Sequence, residues 1–169
     1  LLAFGQKKMF RNPLVAVLHL FVYVGFVIIN IEILEILLDG ILGTHRLFLN
    51  SLGSVYPIFI NVFEVLALSV LIGCVIFYIR RNAMHIKRFI GKDLKGWPKS
   101  DANYILITEV VLMSLFLLMN ATDRAMQLQN VAGYHETGDF IISGHMAQWF
   151  ANTNAQTLIY LERSAWWLH

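Results

Sequence analysis

Apolar positions along the chain gather into long runs, and the polar ones fall between them. The first run, Pro13 to Ile31 (PLVAVLHLFVYVGFVIINI), holds nineteen residues without a single Asp, Glu, Lys or Arg. At 1.5 Å per residue it is long enough to cross a hydrocarbon core of roughly 30 Å as one helix, and Asn12–Pro13 is a fitting helix start. A second run, Tyr56 to Ile79, is interrupted only by Asn61 and Glu64; a third, Tyr104 to Met119, carries one carboxylate, Glu109. A fourth opens at Thr157 and reaches His169. The intervening stretches are a basic lead-in over residues 1–12, the segment IEILEILLDGILGTHRLF, the loop RRNAMHIKRFIGKDLKGWPKSD and the glycine-containing residues 120–156. Glu32, Glu35 and Asp39 make the segment after Ile31 read as leaving the hydrocarbon and lying at the surface before a turn at 50–54. The predicted fold is an all-α transmembrane helix bundle in one membrane domain, with full spans at 13–31, 56–79 and 104–119 and the start of a fourth at 157–169. The chain opens at Leu1 and stops soon after its fourth apolar run begins, so a fragment of a longer chain is expected.

Composition sharpens this. With 57% apolar residues, 14% charged residues and a mean hydropathy of +0.62, the chain is too apolar for a soluble domain, where charged residues make up about 25%. The single cysteine, Cys74, leaves no disulfide framework and no thiolate set for zinc or an iron–sulfur cluster, so any such cluster is expected on a partner or another part of the protein. Lys7, Lys8 and Arg11 before the first span, with Arg80, Arg81, Lys87, Arg88, Lys92, Lys95 and Lys99 between the second and third, account for ten of the thirteen basic residues. The positive-inside rule then places the N-terminus and the 80–103 loop in the cytoplasm, and segments 32–55 and 120–157 outside. A bacterial inner membrane is the expected location. Topology and anionic lipid account for the basic loop, so no nucleic-acid partner is expected.

The candidate chemistry lies in the few ionisable groups at membrane depth. His19 is the only one in the first span, and at 100° per residue Tyr23, Phe26 and Asn30 fall within about 40° of it, a face expected to look inward. It is either a histidine hydrogen-bonded to a neighbouring helix or an axial haem ligand. Six residues into its helix, His19 is expected about 9 Å deep. His169, six residues past Arg163 on a helix descending from the opposite surface, is expected at a different level, which suggests two stacked sites. Glu64, with Asn61 one turn away, and Glu109, with Asn120 returning to its face, read as inward-facing carboxylates. They serve either as structural hydrogen-bonders or as proton acceptors at a quinone pocket. The depths place Glu109 level with His19 and Glu64 nearer His169. Trp166 and Trp167 read as an interfacial belt, and His85 in the basic loop as a surface residue.

The phrases LHLFVYVGF and LERSAWWLH resemble the membrane cytochrome b family that includes the gamma subunit of respiratory nitrate reductase and the membrane subunit of heterodisulfide reductase. IINIEILE, KGWPKSDANYIL and LMNATD extend a closer resemblance, over essentially the whole chain, to the N-terminal membrane domain of Bacteroidetes-type iron–sulfur oxidoreductases. The resemblance implies a helix bundle holding one or two b haems between histidines of two helices. It also implies electron exchange between a menaquinone-like quinone pool and a cytoplasmic iron–sulfur subunit or domain. His19 matches the cytoplasmic-side haem histidine and His169 the outer-side histidine of the last helix. The sequence departs from the nitrate reductase subunit ten residues after His19, where a second histidine is replaced by Ile29, so the outer haem lacks its usual partner. His45, His135 and His145 are the candidate substitutes. A cofactor-free membrane anchor is the alternative, with the histidines and glutamates only tying helices together.

Overall fold

The computed structural model describes residues 13–83 and 97–169, and every described element is helical. Six helices follow in order: α1 (Pro13–Leu42), α2 (Leu47–Leu52), α3 (Tyr56–Asn82), α4 (Trp97–Leu128), α5 (Ser143–Ala147) and α6 (Ala155–Leu168), with 3₁₀ turns at Gly53–Val55 and Gln148–Phe150. Three helical stretches, Pro13–Leu42, Gly53–Asn82 and Ser100–Leu128, are long and apolar enough to cross a membrane, making this a multi-pass membrane protein. The basic lead-in and most of the basic loop, including His85, Lys87, Arg88, Lys92 and Lys95, lie outside the described residues.

The bundle is built on α3 and α4, with α1 against α3 and α6 against α4. Its apolar core runs through Ile29, Ile60, Phe63, Ala67, Val70, Met113, Phe116 and Leu117. Small residues let α1 and α3 approach closely. A Cβ on Gly25 would meet Val70 Cγ2 at 2.7 Å, and one on Gly73 would meet Val22 Cγ2 at 3.3 Å, the close packing that membrane helices use in place of hydrophobic segregation. At the far end Gly40 makes room for the Trp166 ring, at 2.6 Å from where its Cβ would stand. Trp166 therefore packs inside the bundle and only Trp167 stays exposed, which divides the expected aromatic belt.

Three expectations are corrected. First, α1 does not end at Ile31: its 30 residues span about 45 Å and carry Glu32 and Glu35 inward, at 1% and 2% exposure, rather than along the surface. Second, α4 continues past Met119 to Leu128, and Asn120, Thr122, Asp123 and Gln127 are buried in its last turns. The reason is the same in both cases, since both helices turn carboxylate or amide oxygens to Arg46, and a hydrogen-bonded polar group can be buried, although Glu32 is held through one of its two oxygens. Third, the face of α1 holding His19, Tyr23, Phe26 and Asn30 is exposed, while Ala16, Gly25, Ile29, Glu32 and Glu35 are its buried positions. The line Gly25–Ile29–Glu32 lies about a third of a turn from His19, and the glycine that permits close packing on Val70 decides which side faces in. The final helix starts at Ala155, capped by the Asn154 side chain accepting from Gln156 N at 3.0 Å.

Candidate functional site

Where α1 ends, α3 begins and α4 ends, beside the second half of α6, the bundle holds a buried polar cluster around Arg46. The backbone there is shaped by Asp39. Its carboxylate accepts from Arg46 N (2.9 Å), Leu47 N (3.1 Å) and Thr44 Oγ1 (2.6 Å), closing the turn after α1, in which Gly43 and Arg46 both have positive φ. The left-handed conformation of Arg46 costs about 1–2 kcal/mol for a residue with a Cβ, and the contacts of its side chain offset that cost. Its guanidinium donates to Asp123 Oδ2 through Nη2 (2.7 Å) and Nε (3.2 Å), to Asn120 Oδ1 (2.9 Å), to Glu32 Oε1 (3.3 Å) and to the Tyr56 hydroxyl (3.4 Å). Tyr56 donates to Glu35, which also accepts from Phe48 N at 2.8 Å. Burial raises the Tyr134 hydroxyl pKa to about 12, and the hydroxyl lies 3.4 Å from Glu162 Oε2.

A second strap covers the end of α4. Arg124 binds Asp139 (2.8 Å) and Gln127 (3.3 Å), while Gln127 donates to Thr137 Oγ1 (3.0 Å), fastening residues 130–142 to the helix. Glu64 belongs to this fastening. Fully buried, it accepts from Ile142 N at 2.9 Å and from Ser143 N at 3.3 Å, and Asn61 Oδ1 accepts from Ile141 N at 3.0 Å. The carboxylate thus anchors the start of α5 to α3, the structural alternative for Glu64.

The residues singled out from sequence are spread over separate places. His19 is exposed on α1, its ring stacked on Phe77 of α3 with centroids 4.6 Å apart. His169, at the end of α6, is partly buried, 5.7 Å from the Phe116 ring, and lines a cavity of about 70 Å³ with Glu109, Asn30, Phe26 and Met113. The expected pairing is therefore corrected: Glu109 shares its surroundings with His169 rather than with His19, and Glu64 lies with neither. Asn120 is turned to Arg46, three helical turns from Glu109. His45 stands 3.8 Å from Asp123 and edge-on to Tyr134, in a different cavity from His169, and His135 and His145 are exposed. None of the three shares the His169 cavity.

These placements bear on whether the chain fits a haem. Each imidazole can supply one axial bond, His19 on an open face flanked by Tyr23 and Phe26, and His169 at a cavity that also holds a carboxyl and an amide. On α1 the lining of this cavity runs from Val22, three residues from His19, to Ile33, and His169 stands in it while His19 does not. Among the described residues no second histidine faces either one, and no group of three or more His, Cys, Asp or Glu is arranged to hold a metal ion.

Sequence reasoning missed Arg46 and its partners. The signal is present as two polar ladders at helical spacing, Glu32–Glu35–Asp39 and Asn120–Asp123–Gln127, each at i, i+3 and i+7 on a helix that continues past its apolar run.

The fold thus defines a multi-pass helical membrane protein with a buried ion-pair cluster at one end and a histidine–carboxyl cavity within the bundle. No protein-family model and no solved structure matches the chain. It is similar to the "Probable iron-sulfur-binding oxidoreductase FadF" of Bacillus subtilis (strain 168), at 27% identity over 172 residues and 98% of this chain. The chain spans 21% of that relative's length.

Proposed function

We propose that this chain is a b-type cytochrome module that passes electrons between a membrane quinone pool and an iron–sulfur oxidoreductase partner. The observation that carries the reading is the cavity lined by His169, Glu109 and Asn30, which brings an imidazole, a titratable carboxyl and an amide together among apolar side chains. The similarity to a protein described as an iron-sulfur-binding oxidoreductase supports the partner's chemistry. In this reading His19 and His169 would each offer an imidazole to haem b, which would supply the one-electron chemistry. Glu109 accepts a proton released when quinol is oxidised, and Glu64, already engaged by two backbone amides, does not.

A cofactor-free anchor is the second reading. The stacking of His19 on Phe77 and the anchoring of α5 by Glu64 favour it, because each gives a sequence-predicted site residue a structural task. A reduced-minus-oxidised optical spectrum of the purified protein separates the two: b-type bands support the cytochrome, and a blank difference spectrum refutes it. His19→Ala is expected to lower the haem-to-protein ratio by one haem while His85→Ala leaves it unchanged. An unaltered ratio in His19→Ala returns His19 to its packing role.

A further inference from the structure

The cluster around Arg46 encloses more acid than base. Glu32, Glu35, Asp123 and Glu162 are buried to 3% exposure or less, and the buried cation among them, Arg46, pairs with Glu32 and Asp123. Arg46 is committed first to Asp123, through Nη2 at 2.7 Å and Nε at 3.2 Å. Glu35 is held by the Tyr56 hydroxyl and Phe48 N, and Glu162 has Arg163 Nε at 3.4 Å. Glu32 is the least compensated. Its Oε1 meets Arg46 Nη1 only at 3.3 Å, and its fully buried Oε2 has no hydrogen-bond partner among the described residues.

Glu32 also lines a cavity of about 30 Å³, room for one or two water molecules. The cavity extends to Thr44 and Arg163, which are exposed. The groups facing Glu32 are Glu35 and Asp39 on α1, His45 and Arg46 in the following turn, Tyr56 on α3, Asp123 on α4, and Glu162 and Arg163 on α6. An unpaired carboxylate oxygen among so many carboxylates is too costly in a low-dielectric interior, whereas a carboxylic acid donating from Oε2 to cavity water is not. We propose that Glu32 is a proton-exchange site, carrying a proton at neutral pH and releasing it through cavity water to the aqueous end of the bundle beside Asp39 and Thr44. On release the proton passes to water, and the carboxylate that remains is stabilised by the Arg46 guanidinium already at Oε1. The site would serve any proton-coupled step in the membrane, but it holds in the resting protein with or without haem.

The test is infrared spectroscopy of the full-length protein in detergent at neutral pH, with no redox turnover. The C=O stretch of a protonated carboxyl is expected to lose one carboxyl's intensity in Glu32→Gln, to keep it in Glu32→Asp, and to shift within minutes of transfer to D₂O. An unchanged band in Glu32→Gln overturns the proposal, as does a Glu32 band that does not shift in D₂O. Failure of Glu32→Gln to fold also counts against it, because only an ionised Glu32 paired with Arg46 would be badly missed by an isosteric neutral amide. A blank haem spectrum would remove the cytochrome reading and leave this result standing.

Discussion

Replacing Arg46 by methionine keeps much of the side-chain volume and removes the charge. Arg46 is 6% exposed, and its guanidinium is the shared donor for Asp123, Asn120, Glu32 and Tyr56, on α4, α1 and α3. Losing it leaves Asp123 buried with its main partner gone, and breaking a buried pair from one side typically costs about 3–5 kcal/mol. Some of this returns if Asp123 is protonated, so the lower end of that range is the expectation at neutral pH. For a protein of this size each kcal/mol moves the melting point by about 2–4 °C, giving a loss of about 6–12 °C. Thermal unfolding in a mild detergent, followed by circular dichroism, measures it. The double variant Arg46→Met/Asp123→Leu should recover part of the loss, since it removes the stranded charge along with its partner. A shift under 2 °C in Arg46→Met would refute the reasoning, because it would mean that water already screens the cluster.

Other expectations follow from the same geometry. Glu64→Leu leaves the Ile142 and Ser143 amides without their acceptor and should cost about 2–4 kcal/mol, whereas Glu64→Gln keeps one acceptor oxygen and should cost about 1 kcal/mol; melting curves of the two variants check the order. Burial, with Arg46 adding to it against the opposing pull of Asp123, holds the His45 pKa below its ordinary 6.5. The folded state then binds fewer protons than the unfolded one, so the contribution of His45 is full above about pH 6.5 and is lost as the pH falls towards its lower folded value. His45→Asn should flatten the decline of the melting point between about pH 7 and 5, and an equal decline in both proteins would remove His45 as its cause. A cysteine label near Lys95 should react only from the cytoplasmic side and one near Gly138 only from the opposite side, and the reverse sidedness would invert the orientation drawn from the basic residues.

The long apolar runs determined by themselves that this is an all-helical membrane bundle, because only a helix satisfies its own backbone while crossing lipid and nineteen uncharged residues at Pro13–Ile31 leave little else open. The ionisable candidates at membrane depth could also be picked out there, since a lone His or Glu in such a run stands against its surroundings. What the sequence did not decide was which way those groups face and where the helices stop. Glu32 and Asp123 look like surface residues when each helix is read alone, and become interior once Arg46, 77 residues from Asp123, meets both. His19 looks like an interior group because its neighbours share its polarity, yet Gly25 packing on Val70 turns a different line of α1 inward. Helical periodicity shows which residues share a face, but burial depends on partners distant in the chain, and those partners meet only in the tertiary structure.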